Sequence, residues 1–177
     1  MRLHVTGVIV LGMLLIGCSP RESGPTPEPG PSESPEPSEQ ASGEELALEA
    51  YESMWNVLVE EARNEEPDYS DLELYAAGDA LALVEHGLVA EEDEGVIARG
   101  EPEFSPEVLS AEETYVEIED CMDSTSWLRE DADSGELVEP SPESPVLRRV
   151  DASVSFDGLS WKVADLRIWE IGSCDGQ

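Results

Sequence analysis

The sequence predicts an α+β domain: helices packed on a curved antiparallel sheet of about four strands, preceded by a leader and a linker. Three observations predict it. Apolar residues recur at helical spacing between Ser42 and Glu94. They alternate with polar residues across much of Val108 to Ile171. The two patterns follow one another instead of interleaving, which separates α+β from α/β architecture. Helices folded onto one face of a strongly curved sheet would make a cone with an internal pocket.

The boundaries fall at 1–17, 18–43 and 44–177. In the first segment Arg2 is the one firm positive charge, Val5 to Ile16 is apolar apart from Thr6, Gly7 and Gly12, and no acid precedes Glu22. A basic start followed by an apolar core of ~7–15 residues is a secretion signal. The run is short of the ~20 residues that a membrane-spanning helix needs. It closes on Leu15-Ile16-Gly17-Cys18, which resembles a bacterial lipobox. That resemblance implies a diacylglyceryl group on the Cys18 thiol, cleavage just before it, and further acylation such as palmitate. Ile16 stands where the family usually has a small residue. The alternative is an ordinary cleaved signal in which the cysteine has no such role. Two acyl chains hold a protein at a bilayer where one does so only marginally, at ~0.8 kcal/mol per buried CH2.

From Ser19 to Gly43 the chain carries Pro20, Pro25, Pro27, Pro29, Pro31, Pro35 and Pro37 among Ser, Glu, Gly and Thr, with no large apolar side chain. Such a stretch buries too little to offset its ordering entropy and is expected to be a disordered spacer. At ~3.1 Å per residue in polyproline II, about 25 residues reach some 75 Å.

The domain starts with a capping box, Ser42 with Glu45 three residues on. Leu46, Ala47, Ala50, Tyr51, Met54, Leu58 and Val59 then form one stripe, with Trp55 at its border. Pro67 separates this helix from a second capping-box match, Ser70 with Glu73, followed by Leu74 to Ala77 and a stop at Gly78. A third helix is expected from near Asp79, carrying Leu81, Leu83, Val84 and Leu88, with Gly87 weakening it. Glu91 to Glu94 form a charged exit.

Gly95 to Phe104 is short and mixed. Val108 to Met122 reads as a strand in which Val116 and Ile118 face one way and Tyr115, Glu117 and Glu119 the other. Glu130 to Pro145 is polar and proline-bearing, a loop. Val146 to Phe156 puts Val150, Ala152, Val154 and Phe156 on one face, and Asp157-Gly158 marks a hairpin turn. In Trp161 to Ile171, Trp161, Val163, Trp169 and Ile171 share one parity and Leu166 and Ile168 the other. That pattern means either a central strand covered on both sides or a bulged one.

The charge balance is 42 acids against 9 bases, a net −33. Such a surface repels phosphates and excludes nucleic acid as a partner. It repels anionic lipid too, so a lipid anchor rather than the surface would hold the protein at a membrane. The three cysteines are Cys18, Cys121 and Cys174. Lipidation of Cys18 leaves Cys121 and Cys174 to pair in an oxidising compartment outside the membrane, the alternative being two buried thiols.

Ala50-Tyr51-Glu52-Ser53-Met54-Trp55, Gly78-Asp79-Ala80-Leu81, Gly95-Val96-Ile97-Ala98-Arg99-Gly100, Asp120-Cys121-Met122-Asp123 with Trp127-Leu128, and Trp161-Lys162-Val163 through Gly172-Ser173-Cys174 carry a further resemblance. The chain resembles actinobacterial secreted lipoproteins with a nuclear transport factor 2-like domain, over roughly Glu45 to Cys174. These are packing and disulfide motifs, and none is a catalytic signature.

No phosphate-binding loop, dinucleotide fingerprint, HExxH or zinc-type cysteine pair occurs, and no cofactor is expected. An EF-hand register on Gly135 puts Ala132 at a ligand position and Ser141 where a glutamate belongs, which rejects that site. Loose calcium binding by clustered surface acids stays open. His86 reads as a packed or surface residue. Relatives in the broader fold include isomerases and cyclases that use a carboxylate inside the cone, which makes Asp120 and Asp165 the candidate bases. Trp55, Tyr115, Trp127, Trp161 and Trp169 are the pocket-lining candidates, or core. Three functions follow as expectations. A binding domain for a small molecule or protein partner, without catalysis, predicts an apolar cavity without convergent polar groups. An enzyme predicts a buried acid beside a Tyr or Trp donor facing a pocket of ~300 Å³ or more. A scaffold predicts two sheets packed face to face in a homodimer.

Overall fold

In a computed structural model of the chain, residues 41–174 are described. The leader, Cys18 and nearly all of the tether lie outside the described residues. Over the described residues the fold is α+β, with three α-helices, a four-stranded antiparallel sheet and a two-stranded antiparallel one.

Helix α1 runs Gly43–Glu61. Its capping box forms in both directions, with Glu45 N–H donating to Ser42 Oγ at 3.2 Å and Ser42 N–H donating to the Glu45 carboxylate at 2.7 Å. Ala47, Ala50, Tyr51, Met54, Trp55, Leu58 and Val59 are buried along one stripe. Trp55, expected at the border, is in the middle of the core, and Leu46, expected inside, is exposed. The second capping box does not form. The Asp68 carboxylate accepts from Ser70 N–H and starts a 3-10 turn, Tyr69–Asp71, which leads into the short helix α2, Leu72–Tyr75. Gly78 opens a helix where a stop was expected. Helix α3 spans Gly78–Glu94, buries Ala80, Val84 and Leu88, and ends on Gly95 in the left-handed conformation.

Strand β1 (Val96–Arg99) pairs antiparallel with β4 (Leu128–Asp131), so the first residues of the expected loop are sheet. The expected strand Val108 to Met122 is a hairpin, β2 (Pro106–Glu112) and β3 (Tyr115–Asp123), turning at Glu113 and Thr114. Strands β5 (Leu147–Phe156) and β6 (Trp161–Ile171) complete the larger sheet in the order β2-β3-β5-β6. The β5–β6 turn is where Asp157-Gly158 placed it. There the Asp157 carboxylate accepts from the N–H groups of Leu159 and Ser160.

Strand β6 is an edge strand, and bulges explain its two-faced pattern. Val154 faces Val163 while Ser153 faces Asp165, so Ala164 is the extra residue. The slip reverses parity and puts Val163, Leu166 and Ile168 opposite Val154, Ala152 and Val150, all on the inner face. A second slip, between Arg148 and Val150, reverses it again. Helices α1 and α3 both pack against this sheet, and the core lies between, with Val116, Ile118, Met122, Val150, Val154 and Val163 meeting the α1 and α3 stripes. A disulfide joins Cys121 to Cys174 with Cα atoms 5.8 Å apart. It ties β3 to the end of the described chain, and Arg149 N–H donates to Ser173 Oγ beside it.

Candidate functional site

A cavity of about 350 Å³ opens under α1 and α3. From α1 it takes Trp55 and Leu58, from α3 Leu83, Val84, Gly87, Leu88 and Glu91, and from the sheets Ala98, Met122, Leu128, Arg129, Arg148 and Ile168. Leu83, Gly87 and Ile168 line it yet are exposed, so they stand at its mouth. A Cβ built on Gly87 meets nothing within 4 Å. The absence of a side chain there keeps that stretch of the mouth open.

The lining is mainly apolar, and its polar groups come from a few places. Glu91 and Arg129 satisfy each other, with Arg129 Nε donating to the Glu91 carboxylate at 3.0 Å. Ser124 Oγ donates to Val146 C=O, and Trp127 N–H donates to Ser124 C=O. Arg148 is opposite Met122 in the β3–β5 ladder, on the inner face, and its Nε is buried without a hydrogen-bond partner. Trp127 Nε1 is buried without one as well. Arg148 and Trp127 thus add donors to a lining that is otherwise mainly apolar.

Asp120 is the one buried charged residue of the described chain, 1% exposed, in a core position between Ile118 and Met122. Its two oxygens are both engaged: Oδ2 accepts from Tyr51 O–H at 2.9 Å and Oδ1 from Ser105 N–H at 2.7 Å. Burial pushes its carboxyl above the ordinary value, against the two hydrogen bonds, which favour the ionised form. Burial, and then the nearby Asp120 charge, push the Tyr51 phenol up as well. Asp120 does not line the cavity. It is a strut that ties α1 to the loop entering β2, where Phe104 packs on the Trp55 ring at 5.0 Å between centroids. The Trp55 indole N–H is buried without a hydrogen-bond partner, and its ring meets that of Tyr51 edge-on at 6.3 Å between centroids.

Asp165 is elsewhere, exposed on the outer face of the sheet, where its carboxylate accepts weakly from Ser153 Oγ at 3.4 Å. His86 is exposed on α3. Of the aromatic candidates, Trp55 and Trp127 line the cavity. Trp161 lies against Phe156 at 5.7 Å and over Gly43, closing the far end of the core. Tyr115 borders a shallow, charged groove of about 410 Å³ on the outer face. Trp169 is on that outer face too, with the guanidinium of Arg167 at 3.5 Å and that of Arg149 at 4.3 Å from its ring, and its Nε1 donates to Asp151. The sequence pattern missed Arg148, Gly87 and Met122 as lining residues. Alternation along Val146 to Phe156 extends to Arg148, so an arginine on an apolar parity was the available signal.

Among the described residues, no helix is long and apolar enough to cross a membrane, and no group of three or more His, Cys, Asp or Glu side chains is placed to hold a metal ion. No family model and no curated protein matches the chain. Among solved structures, the crystal structure of the intermembrane space region of chloroplast protein ARC6 is similar, with a TM-score of 0.49 and 13% identity, covering 70% of this chain and 96% of that one.

Proposed function

We propose that this protein is a lipid-anchored, extracytoplasmic binding domain that takes a small, largely apolar molecule into the cavity beneath α1 and α3, without catalysis. The cavity carries the proposal: about 350 Å³, walled by Leu58, Val84, Leu88, Met122, Trp55 and Trp127, within the ~300–1,000 Å³ common for ligand pockets. Helices laid over the inner face of the sheet fit the cone of a nuclear transport factor 2-like domain. The Cys121–Cys174 bridge is consistent with an oxidising compartment. Anchoring at Cys18 rests on the lipobox resemblance.

Titration with the neutral fluorophore N-phenyl-1-naphthylamine tests the cavity. One saturable site is expected, weakened at least tenfold by Gly87→Phe, which stands a ring in the mouth. Absence of a saturable site, or an unchanged one in Gly87→Phe, contradicts the proposal. For the anchor, Cys18→Ala is expected to release the protein or leave its precursor uncut, and unchanged membrane retention and processing would contradict it.

The isomerase-like alternative needs a buried carboxylate beside a Tyr or Trp donor, facing the pocket; Glu91, the carboxylate on the cavity wall, is half-buried and held by Arg129. Asp120 has both oxygens occupied by Tyr51 and Ser105 and is not on the cavity wall, and Asp165 is on the opposite side of the sheet. The homodimer drew on apolar residues on both faces of β6. With the bulge at Ala164, Leu166 and Ile168 turn inward, which weakens that motive; beside Tyr115 and Trp169 the outer face carries Glu117, Glu119, Arg149, Asp151, Asp165 and Arg167.

A further inference from the structure

Cationic side chains are scarce in this chain, 9 against 42 acids, so an unneutralised one in an apolar wall needs a reason. Arg63, Arg99, Arg129 and Arg149 each have a carboxylate within ion-pair distance. Arg148 has none among the described residues. It is on the inner face of β5 directly opposite Met122, it lines the cavity, and its Nε is buried and unpartnered. A buried donor left without an acceptor costs ~1–3 kcal/mol, more when it is charged. Trp127 Nε1 and Trp55 Nε1, on the lining of the same cavity, are two further buried donors without an acceptor. A charged donor among neutral ones calls for a group with negative charge and more than one acceptor oxygen.

We infer that the ligand is an amphiphile with an anionic head, an apolar chain or ring lying between α1 and α3 with its carboxylate-like group against Arg148 and Trp127. This rests on the cavity reading above and narrows its ligand class. A guanidinium presents a planar fork of donors that matches a carboxylate, and charge-assisted bonds of this kind are about twice as strong as neutral ones. The protein's overall charge opposes an approaching anion, but over a Debye length of ~8 Å at physiological salt that field is screened, while the buried contact is screened much less. The head group is thus read locally by Arg148, and the tail by Leu58, Val84, Leu88 and Met122.

The test is displacement of N-phenyl-1-naphthylamine from the purified full chain by decanoate and by decan-1-ol, which share a tail and differ in the head. Decanoate is expected to compete at least tenfold better than decanol. Arg148→Met, which keeps the length and apolar bulk of the side chain, is expected to abolish that preference by weakening decanoate while leaving decanol unchanged. Retained decanol binding also shows that the variant is folded. Equal competition by acid and alcohol in the unmodified protein, or a preference that survives Arg148→Met, overturns the anionic head and leaves the cavity intact. Failure of the fluorophore itself to bind overturns both.

Discussion

Tyr51→Phe isolates the strut beneath α1. The substitution removes one hydroxyl, leaves the ring in its buried place, and strips Asp120 Oδ2 of the donor at 2.9 Å, with only Ser105 N–H remaining on Oδ1. With Asp120 protonated, the lost contact is a neutral hydrogen bond, worth ~0.5–1.5 kcal/mol, and with Asp120 ionised it is one to a charge, ~1.5–3 kcal/mol. The sign of the pH effect follows from the carboxyl. Burial raises its folded pKa above the ordinary 3.8. The folded state therefore holds the proton more tightly than the unfolded chain, and the group's contribution to stability falls as pH climbs from the unfolded value through the folded one. Tyr51 favours the ionised form, so without it the folded value rises further and the loss over that climb grows. Urea unfolding should show Tyr51→Phe costing about 1 kcal/mol at pH 3 and about 2–3 kcal/mol at pH 7.5. A cost independent of pH, or larger in acid, would refute the strut.

The other consequences concern the frame around the cavity. Replacing Cys121 and Cys174 together by serine opens a bridge with a sequence separation of 53, and the chain-entropy model sets the loss near 4 kcal/mol, read as a lowered urea midpoint. Gly100→Ala should cost more than about 2 kcal/mol. Gly100 has φ +81°, and a Cβ there would sit 2.0 Å from Ser126 O; a variant of normal stability would mean that this loop packs otherwise. Gly87→Ala goes the other way. It is inside α3 with open space around its Cβ position, so alanine should stabilise by about 0.5–1 kcal/mol in thermal or urea unfolding.

Much of the frame was legible in the sequence because its signals are local. The Ser42–Glu45 box, the α1 stripe and the Asp157-Gly158 turn each depend on residues within a few positions of one another, and each forms. The β2–β3 turn was not legible, since Glu113 and Thr114 carry no glycine, proline or asparagine to mark it. Nor was the β1–β4 pair, four residues each with no alternation, joined across the whole β2–β3 hairpin. The candidate site was legible by half. Trp55 and Trp127 line the cavity, whereas the bulge at Ala164 puts Trp169 on the outer face, a change of parity that residue spacing does not encode. Asp120 was found as a carboxylate inside the sheet, but its two hydrogen bonds, to residues far away in sequence, make it structural.

Native mass spectrometry of the protein recovered from its own envelope tests the central claim most directly. A retained, largely apolar molecule in one-to-one complex is expected, lost or sharply reduced in Gly87→Phe. A bare protein mass under gentle conditions, or a ligand retained equally by Gly87→Phe, would contradict it.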